Sequence, residues 1–254
     1  MGLPLLCPDW PVPPGVKAAM SLRGGGVSAA PWDQLNLGLG AGDDAAAVAE
    51  NRARFALAIG AHPVWLRQVH GIHVLRLSGA HPKRDDGPAD AAWTTEPGLA
   101  CTVQVADCLP VLLAARDGRA VAAAHAGWRG LSAGVLEATL QALQHGAGVA
   151  PCDVLAWLGP CIGPRQFEVG EDVLRAFGQT PGSVDAASFV DRPRPDGAAR
   201  WLANLQHLAR LRLAAAGVSE ISQARSCTVE DRSRFFSFRR DTVTGRLAAA
   251  VWLD

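Results

Sequence analysis

The chain contains no tyrosine, and only Lys17 and Lys83 are lysines among 24 basic residues, which balance 24 acidic ones. A net charge of zero argues against a nucleic-acid footprint, which rests on excess positive charge. The other 22 basic residues are arginines. With the abundant alanine they read as the coding bias of a GC-rich genome, which lowers what any one arginine says about function. No apolar run reaches the length of a membrane span. The N-terminus lacks the basic segment and long apolar stretch of a signal peptide, and Pro8 after Leu6-Cys7 opposes a lipoprotein leader. Six cysteines, at positions 7, 101, 108, 152, 161 and 227, contain no Cys-x-x-Cys pair. Their irregular spacing in a long chain argues against a zinc finger and against a secreted disulfide scaffold. A reduced cytoplasmic compartment is expected. No His-x-His pair occurs among the seven histidines, which argues against a multicopper site.

What remains is a core-rich chain. Apolar residues make up 49% of its 254 positions, enough for a sizeable core and too many for broad disorder. Without an internal repeat or a dividing linker, residues 1–254 are expected to form a single domain. Its organising stretch is residues 103–130. Two apolar, strand-like runs flank an Arg-Asp-Gly-Arg turn at 116–119. Asp107 and Cys108 belong to the first run, and His125, Trp128 and Arg129 to the second. Upstream, Leu66-Arg-Gln-Val-His-Gly brings His70. One thiolate and two imidazoles suit zinc, with a fourth position left for water or substrate. The alternative is a small buried cysteine and two hydrogen-bonded histidines. Gly127 and Gly130 free the backbone for a tight turn between strand and helix.

Taken in order, residues 16–23 read as a strand ending in Gly24-Gly25-Gly26, a loop whose amides suit an anion beside Arg23. The glycine-rich stretch opened by Asn36 lacks the strand–helix context of a dinucleotide loop. Asp43 or Asp44 caps a helix over 45–59, with Val48, Arg52, Phe55 and Ile59 on one face. Residues 64–70 and 73–77 read as strands and 80–90 as a polar loop. Ser132 reads as the N-cap of a helix running to His145, with Val135, Leu136, Thr139, Leu140 and Leu143 inward. Residues 154–158 form a buried strand, and a short helix runs to Phe177. Residues 178–200 lack periodicity and read as a mobile loop. A helix over 202–216 stops at Gly217, and strands cover 221–228 and 247–253. Mixed strands and helices without strict alternation favour a compact α+β domain.

Several motifs occur in one order along the chain: Arg23-Gly-Gly-Gly-Val-Ser, Leu35-Asn-Leu-Gly, Arg67-Gln-Val-His-Gly, Ala106-Asp-Cys-Leu-Pro, His125-Ala-Gly-Trp-Arg-Gly, Leu158-Gly-Pro-Cys-Ile-Gly-Pro and Phe235-Phe-Ser-Phe-Arg-Arg. Together they resemble the YfiH/laccase-domain family of purine nucleoside phosphorylases, earlier labelled polyphenol oxidases. The resemblance implies a four-layer α/β/β/α fold with mixed sheets, akin to a toxin-type Cys–His hydrolase, and a monomer. It implies zinc on His70, Cys108 and His125, with copper as the other candidate. It further implies phosphorolysis of adenosine, inosine, guanosine and methylthioadenosine, and deamination of adenosine; the partners are these nucleosides and phosphate, without nucleic acid or membrane. Trp32 and Phe238 stand where tyrosine is common, and Ala203-Asn204-Leu205 where Asp-Leu is expected.

On that reading Cys108, His125, Asp107 and Arg129 are the catalytic candidates, with Asp107 a proton carrier and Arg129 an anion ligand at a helix start. Arg23, Asn36, Arg239 and Arg240 are the substrate-binding candidates, and Trp128 a platform for a base or a core residue. Three other readings use the same residues. They are a Cys–His amidase acting on muramyl peptides, with Cys108 as nucleophile and His125 as base, a copper-dependent phenol oxidase, and a binding module that zinc merely pins.

Overall fold

The computed structural model describes residues 2–79 and 87–254; residues 80–86 of the expected 80–90 loop lie outside them. In chain order the strands are β1 (Leu5–Leu6), β2 (Val16–Ser21), β3 (His62–Trp65), β4 (Val74–Arg76), β5 (Ala91–Thr94), β6 (Leu99–Val105), β7 (Leu109–Ala115), β8 (Val121–Ala126), β9 (Val154–Leu158), β10 (Glu168–Val169), β11 (Phe189–Asp191), β12 (Trp201–Ala203), β13 (Glu220–Gln223) and β14 (Leu247–Leu253). The helices are α1 (Ala45–Ile59), α2 (Trp128–Ala133), α3 (Val135–Ala147), α4 (Glu171–Ala176), α5 (Leu205–Ala215) and α6 (Phe238–Asp241).

Two mixed sheets carry the fold. One has the order β1-β2-β14-β6-β3 and the other β13-β9-β7-β8-β5-β4, with a small β10-β12-β11 sheet beside them. Most neighbours are antiparallel, while β3–β6, β4–β5 and β13–β9 are parallel. The period-2 alternation of a strand is hidden in the central strands because both faces are buried. On β7, Leu109, Val111 and Leu113 pack toward the layer of α3 and α5, whereas Leu112 and Ala114 join Val103, Val105 and Val251 between the two large sheets. On β14, Ala248, Ala250 and Trp252 face Phe55 and Ile59 of α1. Three cores therefore separate four layers, α1, sheet, sheet, then α3 with α5. This is a single compact α+β domain with mixed sheets flanked by helices. Among the described residues no helix is long and apolar enough to cross a membrane.

The helix over 45–59 forms as expected, and Asp44 rather than Asp43 caps it, its Oδ1 accepting from the Ala46 amide at 2.9 Å. Its buried face is Val48, Asn51, Phe55 and Ile59. Arg52 instead lies at the edge of that face, its guanidinium 4.2 Å from the centroid of the Trp65 ring. The Ser132 helix is corrected. Residues 128–147 form two helices broken at Gly134, φ 105°, and Gly127 caps the first. The Ser132 hydroxyl donates to the Arg129 carbonyl at 3.0 Å instead of capping. The inward face holds, since Val135, Leu136, Thr139, Leu140 and Leu143 are all buried. Residues 178–200 are not a plain loop: β11 lies within them, and Phe189 is a core residue. There a polar sequence hides three residues of strand that only pairing with β12 defines. The strand expected over 221–228 ends at Gln223, and Asn204 starts α5 where the helix was expected from 202, because Trp201–Ala203 is taken up by β12.

Candidate metal centre

The organising stretch does not lie in one sheet. The strand β6 belongs to the five-stranded sheet and β7 to the six-stranded one, so Ala106, Asp107 and Cys108 carry the chain from one to the other. Asp107 makes that crossing with φ 95°, a conformation that a residue with a Cβ adopts only when its surroundings enforce it. Its surroundings do: Thr228 Oγ1 donates to Oδ1 at 2.6 Å, and the Arg239 amide donates to Oδ2 at 2.6 Å. The carboxylate thus fastens the turn that delivers Cys108.

His125 lies near the end of β8, opposite Pro110 of β7. His70 lies in the loop after β3, at φ 62°. One buried carboxylate positions both. Asp90 accepts from the amides of Val69, His70 and Gly71 at 3.0, 2.8 and 2.7 Å, which fixes the left-handed loop around His70. The same carboxylate meets His125 Nδ1 at 2.8 Å. That bond places the proton on Nδ1 and turns Nε2 toward the cluster. Burial pushes the Asp90 carboxyl up, but the bonds from His125, Gly71 and Val69 outweigh it and hold the group below its usual range. Asp90 carries no motif signal of its own. The only sign in the sequence is an acid directly before the four apolar-rich residues of β5.

The cluster of His70, Cys108 and His125 has its ligand atoms within 4.8 Å of one another. Cys108 Sγ lies 3.7 Å from His70 Nε2, and the two imidazoles meet edge to face with centroids 4.7 Å apart. Tetrahedral bonds of about 2.0–2.3 Å set S and N ligands roughly 3.5 Å apart, so the donors fit one metal ion. The backbone respects that space. A Cβ on Gly127 would stand 2.7 Å from His70 Cδ2 and 3.0 Å from Cys108 Sγ, and one on Gly130 would stand 3.0 Å from the Gly71 carbonyl oxygen. Without metal the thiol and imidazole polarise each other. Burial pushes the Cys108 thiol up, but the charge of His125 and hydrogen bonds from both histidines bring it well below an ordinary thiol. Burial pulls His125 down, and the thiolate and Asp90 raise it above an ordinary histidine.

Arg23 donates Nε to the Asp33 carbonyl at 2.7 Å and Nη2 to both carboxylate oxygens of Asp33 at 3.0 Å. In the glycine loop beside it, the Gly25 amide donates to Gln34 Oε1 and the Val27 amide to Asn51 Oδ1. Asn36 is buried, its Oδ1 accepting from the amides of Gly38 and Arg246 and its Nδ2 donating to Asp43. Arg240 pairs with Asp241 and donates to the carbonyls of Thr228, Val229 and Phe235. The Arg239 side chain donates to the carbonyls of Gln166 and Glu168. Arg129 is exposed in the first turn of α2, its guanidinium 4.3 Å from the centroid of the Trp128 ring.

Known proteins resemble this chain over nearly its whole length. A purine nucleoside phosphorylase of Pseudomonas aeruginosa is 48% identical over 249 residues, covering 98% of both chains. The purine nucleoside phosphorylase YfiH of Escherichia coli is 48% identical over 253 residues, again with 98% coverage of both. Among solved structures, a Neisseria meningitidis protein of the DUF152 family model superposes with a TM-score of 0.89 at 42% identity, covering 98% of this chain and 99% of that one. YlmD of Geobacillus stearothermophilus gives 0.84 at 29% identity, with 98% and 99% coverage. A family model described as multi-copper polyphenol oxidoreductase laccase matches residues 17–254. With a sequence model, close relatives and a fold in agreement, the chain belongs to the YfiH family.

Proposed function

We propose that this protein is a zinc-dependent purine nucleoside phosphorylase that also deaminates adenosine, acting as a cytoplasmic monomer. The observation that carries the reading is the His70–Cys108–His125 cluster, aligned by Asp90, in a chain 48% identical to proteins named purine nucleoside phosphorylase. The His₂Cys set also suits copper, usually with a distant axial methionine. Zinc is preferred because it is redox-inert, needs no axial partner and leaves a fourth position open for group transfer. When bound, it supplies Lewis acidity toward a water or a substrate oxygen.

The chain's own residues supply the rest. His70, Cys108 and His125 would hold the ion, and Asp90 keeps the proton of His125 on Nδ1. In phosphorolysis a phosphate oxygen bonds to C1′ as the C1′–N9 bond breaks, and its electron pair leaves with the base. The sugar carries positive charge as that bond breaks, so phosphate must be held close by a cation. Asp107, with both oxygens engaged, is assigned to holding the Cys108 turn rather than to carrying protons.

The test is incubation of the metal-loaded protein with adenosine, inosine, guanosine and methylthioadenosine, with and without phosphate. Phosphate-dependent release of free base with formation of the sugar 1-phosphate supports the reading. Absence of release across the panel, from protein that contains stoichiometric zinc, refutes it.

One observation favours a second reading. Asp90, His125 and Cys108 also form the acid–imidazole–thiol series of a Cys-dependent amidase, with the thiol lowered and the imidazole oriented. Muramyl-peptide hydrolysis by metal-free protein, abolished by iodoacetamide at Cys108, would select it. Stoichiometric, tightly bound zinc opposes it.

A further inference from the structure

Of the arginines that the sequence offers for an anion, Arg23 is committed to Asp33, Arg240 to Asp241 and Arg239 to two carbonyls, while Arg129 lies exposed against Trp128. Arg246 differs. It directly precedes β14, whose Leu247 pairs with Val105 of β6. The antiparallel register therefore sets Arg246 beside Ala106, at the crossing that delivers Asp107 and Cys108. Hydrogen bonds fix its place, among them one from the Leu37 amide to the Arg246 carbonyl at 3.0 Å. Its amide donates to Asn36 Oδ1 at 2.8 Å, and its Nη1 donates to the carbonyls of Thr244 and Gly245 at 2.9 and 3.1 Å. A Cβ on Gly38 would stand 2.5 Å from Arg246 Cγ, so the loop is shaped around this side chain.

No carboxylate lies in ion-pair contact with Arg246 among the described residues, and its Nε and Nη2 have no hydrogen-bond partner there. Neither nitrogen is among the buried polar atoms left unpartnered, so both reach solvent. Arg246 as a residue is nevertheless partly buried. Burial pulls its pKa down, against the opposing charges of Cys108 and Asp107. The Phe238 ring, 52% exposed, lies beside it with its centroid 5.8 Å from the guanidinium carbon. A cation that is partly desolvated, without a carboxylate partner and preorganised with open donors costs stability unless an anion completes it. Two open donors on one planar guanidinium match a tetrahedral oxyanion in a bidentate grip.

We propose that Arg246 receives inorganic phosphate beside the metal centre, through Nε and Nη2, as the co-substrate's principal cation. The proposal rests on the phosphorolysis reading of the same site.

The experiment measures three quantities on zinc-loaded protein: the phosphate KM of base release, the rise in melting temperature with added inorganic phosphate, and protection of Arg246 by phosphate from phenylglyoxal, mapped by peptide mass. Arg246→Gln is expected to retain zinc, raise the phosphate KM about tenfold or more, and lose the phosphate-induced thermal shift, with a smaller change in nucleoside KM. Arg246→Lys keeps the charge without the fork, and is expected to fall between wild type and Arg246→Gln. The phenylglyoxal measurement uses wild-type protein and stands even if neither variant folds. Phosphate KM and thermal shift that are unchanged in both variants, or Arg246 modified equally with and without phosphate, would overturn the proposal while leaving phosphorolysis intact. Phosphate protection of Arg246 in a protein that releases no base would support the anion site and refute the reading of the reaction instead.

Discussion

Asp90→Asn isolates the residue that holds both histidines. The change keeps the shape of the side chain, removes its charge and turns one acceptor oxygen into a donor. Three amides and the His125 ring address that carboxylate in the native protein, so at least one N–H must face an NH₂ group. Losing one charge-assisted bond costs about 1.5–3 kcal/mol. For a chain of this length, each kcal/mol moves the melting temperature by about 2–4 °C, so the metal-free protein should melt roughly 3–12 °C lower. Loss of an outer partner of a metal ligand weakens binding by about 10–100-fold, equivalent to about 1.4–2.8 kcal/mol. Asp90→Ala should lose more, since every donor is then left unpaired in a buried site. Calorimetry of the metal-free protein and zinc competition against a chelating dye read the two effects separately. Wild-type zinc affinity in Asp90→Asn would refute the claim that this carboxylate sets the tautomer of His125. An unchanged melting temperature would refute its role in fixing the His70 loop.

Four further outcomes are expected. Gly127→Ala should weaken zinc binding by about tenfold or more, because its Cβ would press on His70 and Cys108; full affinity would mean the two ligands move apart freely. Metal analysis of Cys108→Ser should show a large loss of zinc, and full retention would remove Cys108 from the ligand set. Arg129→Lys should leave zinc content and melting temperature near wild type, because the side chain is exposed and, among the described residues, stacks on Trp128. A raised phosphate KM in that variant would make Arg129 a second phosphate ligand, and lowered stability would make it part of the scaffold. Thiol titration of unfolded, never-reduced protein should find Cys7, Cys101, Cys152, Cys161 and Cys227 free, as they are in the structure. A bridge found by intact mass would contradict a reducing compartment.

The elements with strong local signals were legible in the chain. The α1 helix has a capping acid and a periodic face, and the helix through Leu136, Leu140 and Leu143 shows its inward stripe without any fold. The continuous apolar runs of β9 and β14 have no competing pattern. The three metal-ligand candidates also stood out, because Cys and His are scarce residue types at the ends of apolar runs. Where a local signal was ambiguous, tertiary pairing decided. Ser132 has the chemistry of an N-cap, yet Gly127 starts the helix because the backbone must pass close to His70 and Cys108. Leu202 and Ala203 fall within the helical pattern that starts at 202, yet Trp201–Ala203 is strand through its pairing with β10 and β11.

By itself, then, the sequence determined the inventory: one apolar-rich α+β chain, its long helices and central strands, and one thiol and two imidazoles able to share an ion. The tertiary structure decided how these meet. Residues 69–71, 90, 108 and 125 are far apart in the chain, and two sheets packed face to face bring them to one point. No local rule marks Asp90 as the acceptor for three amides and a ring, or Arg246 as a partly buried cation with no carboxylate partner among the described residues. Hydrogen-bond partnership and desolvation depend on what the rest of the fold places around a group, and a residue type with its sequence neighbours does not encode that.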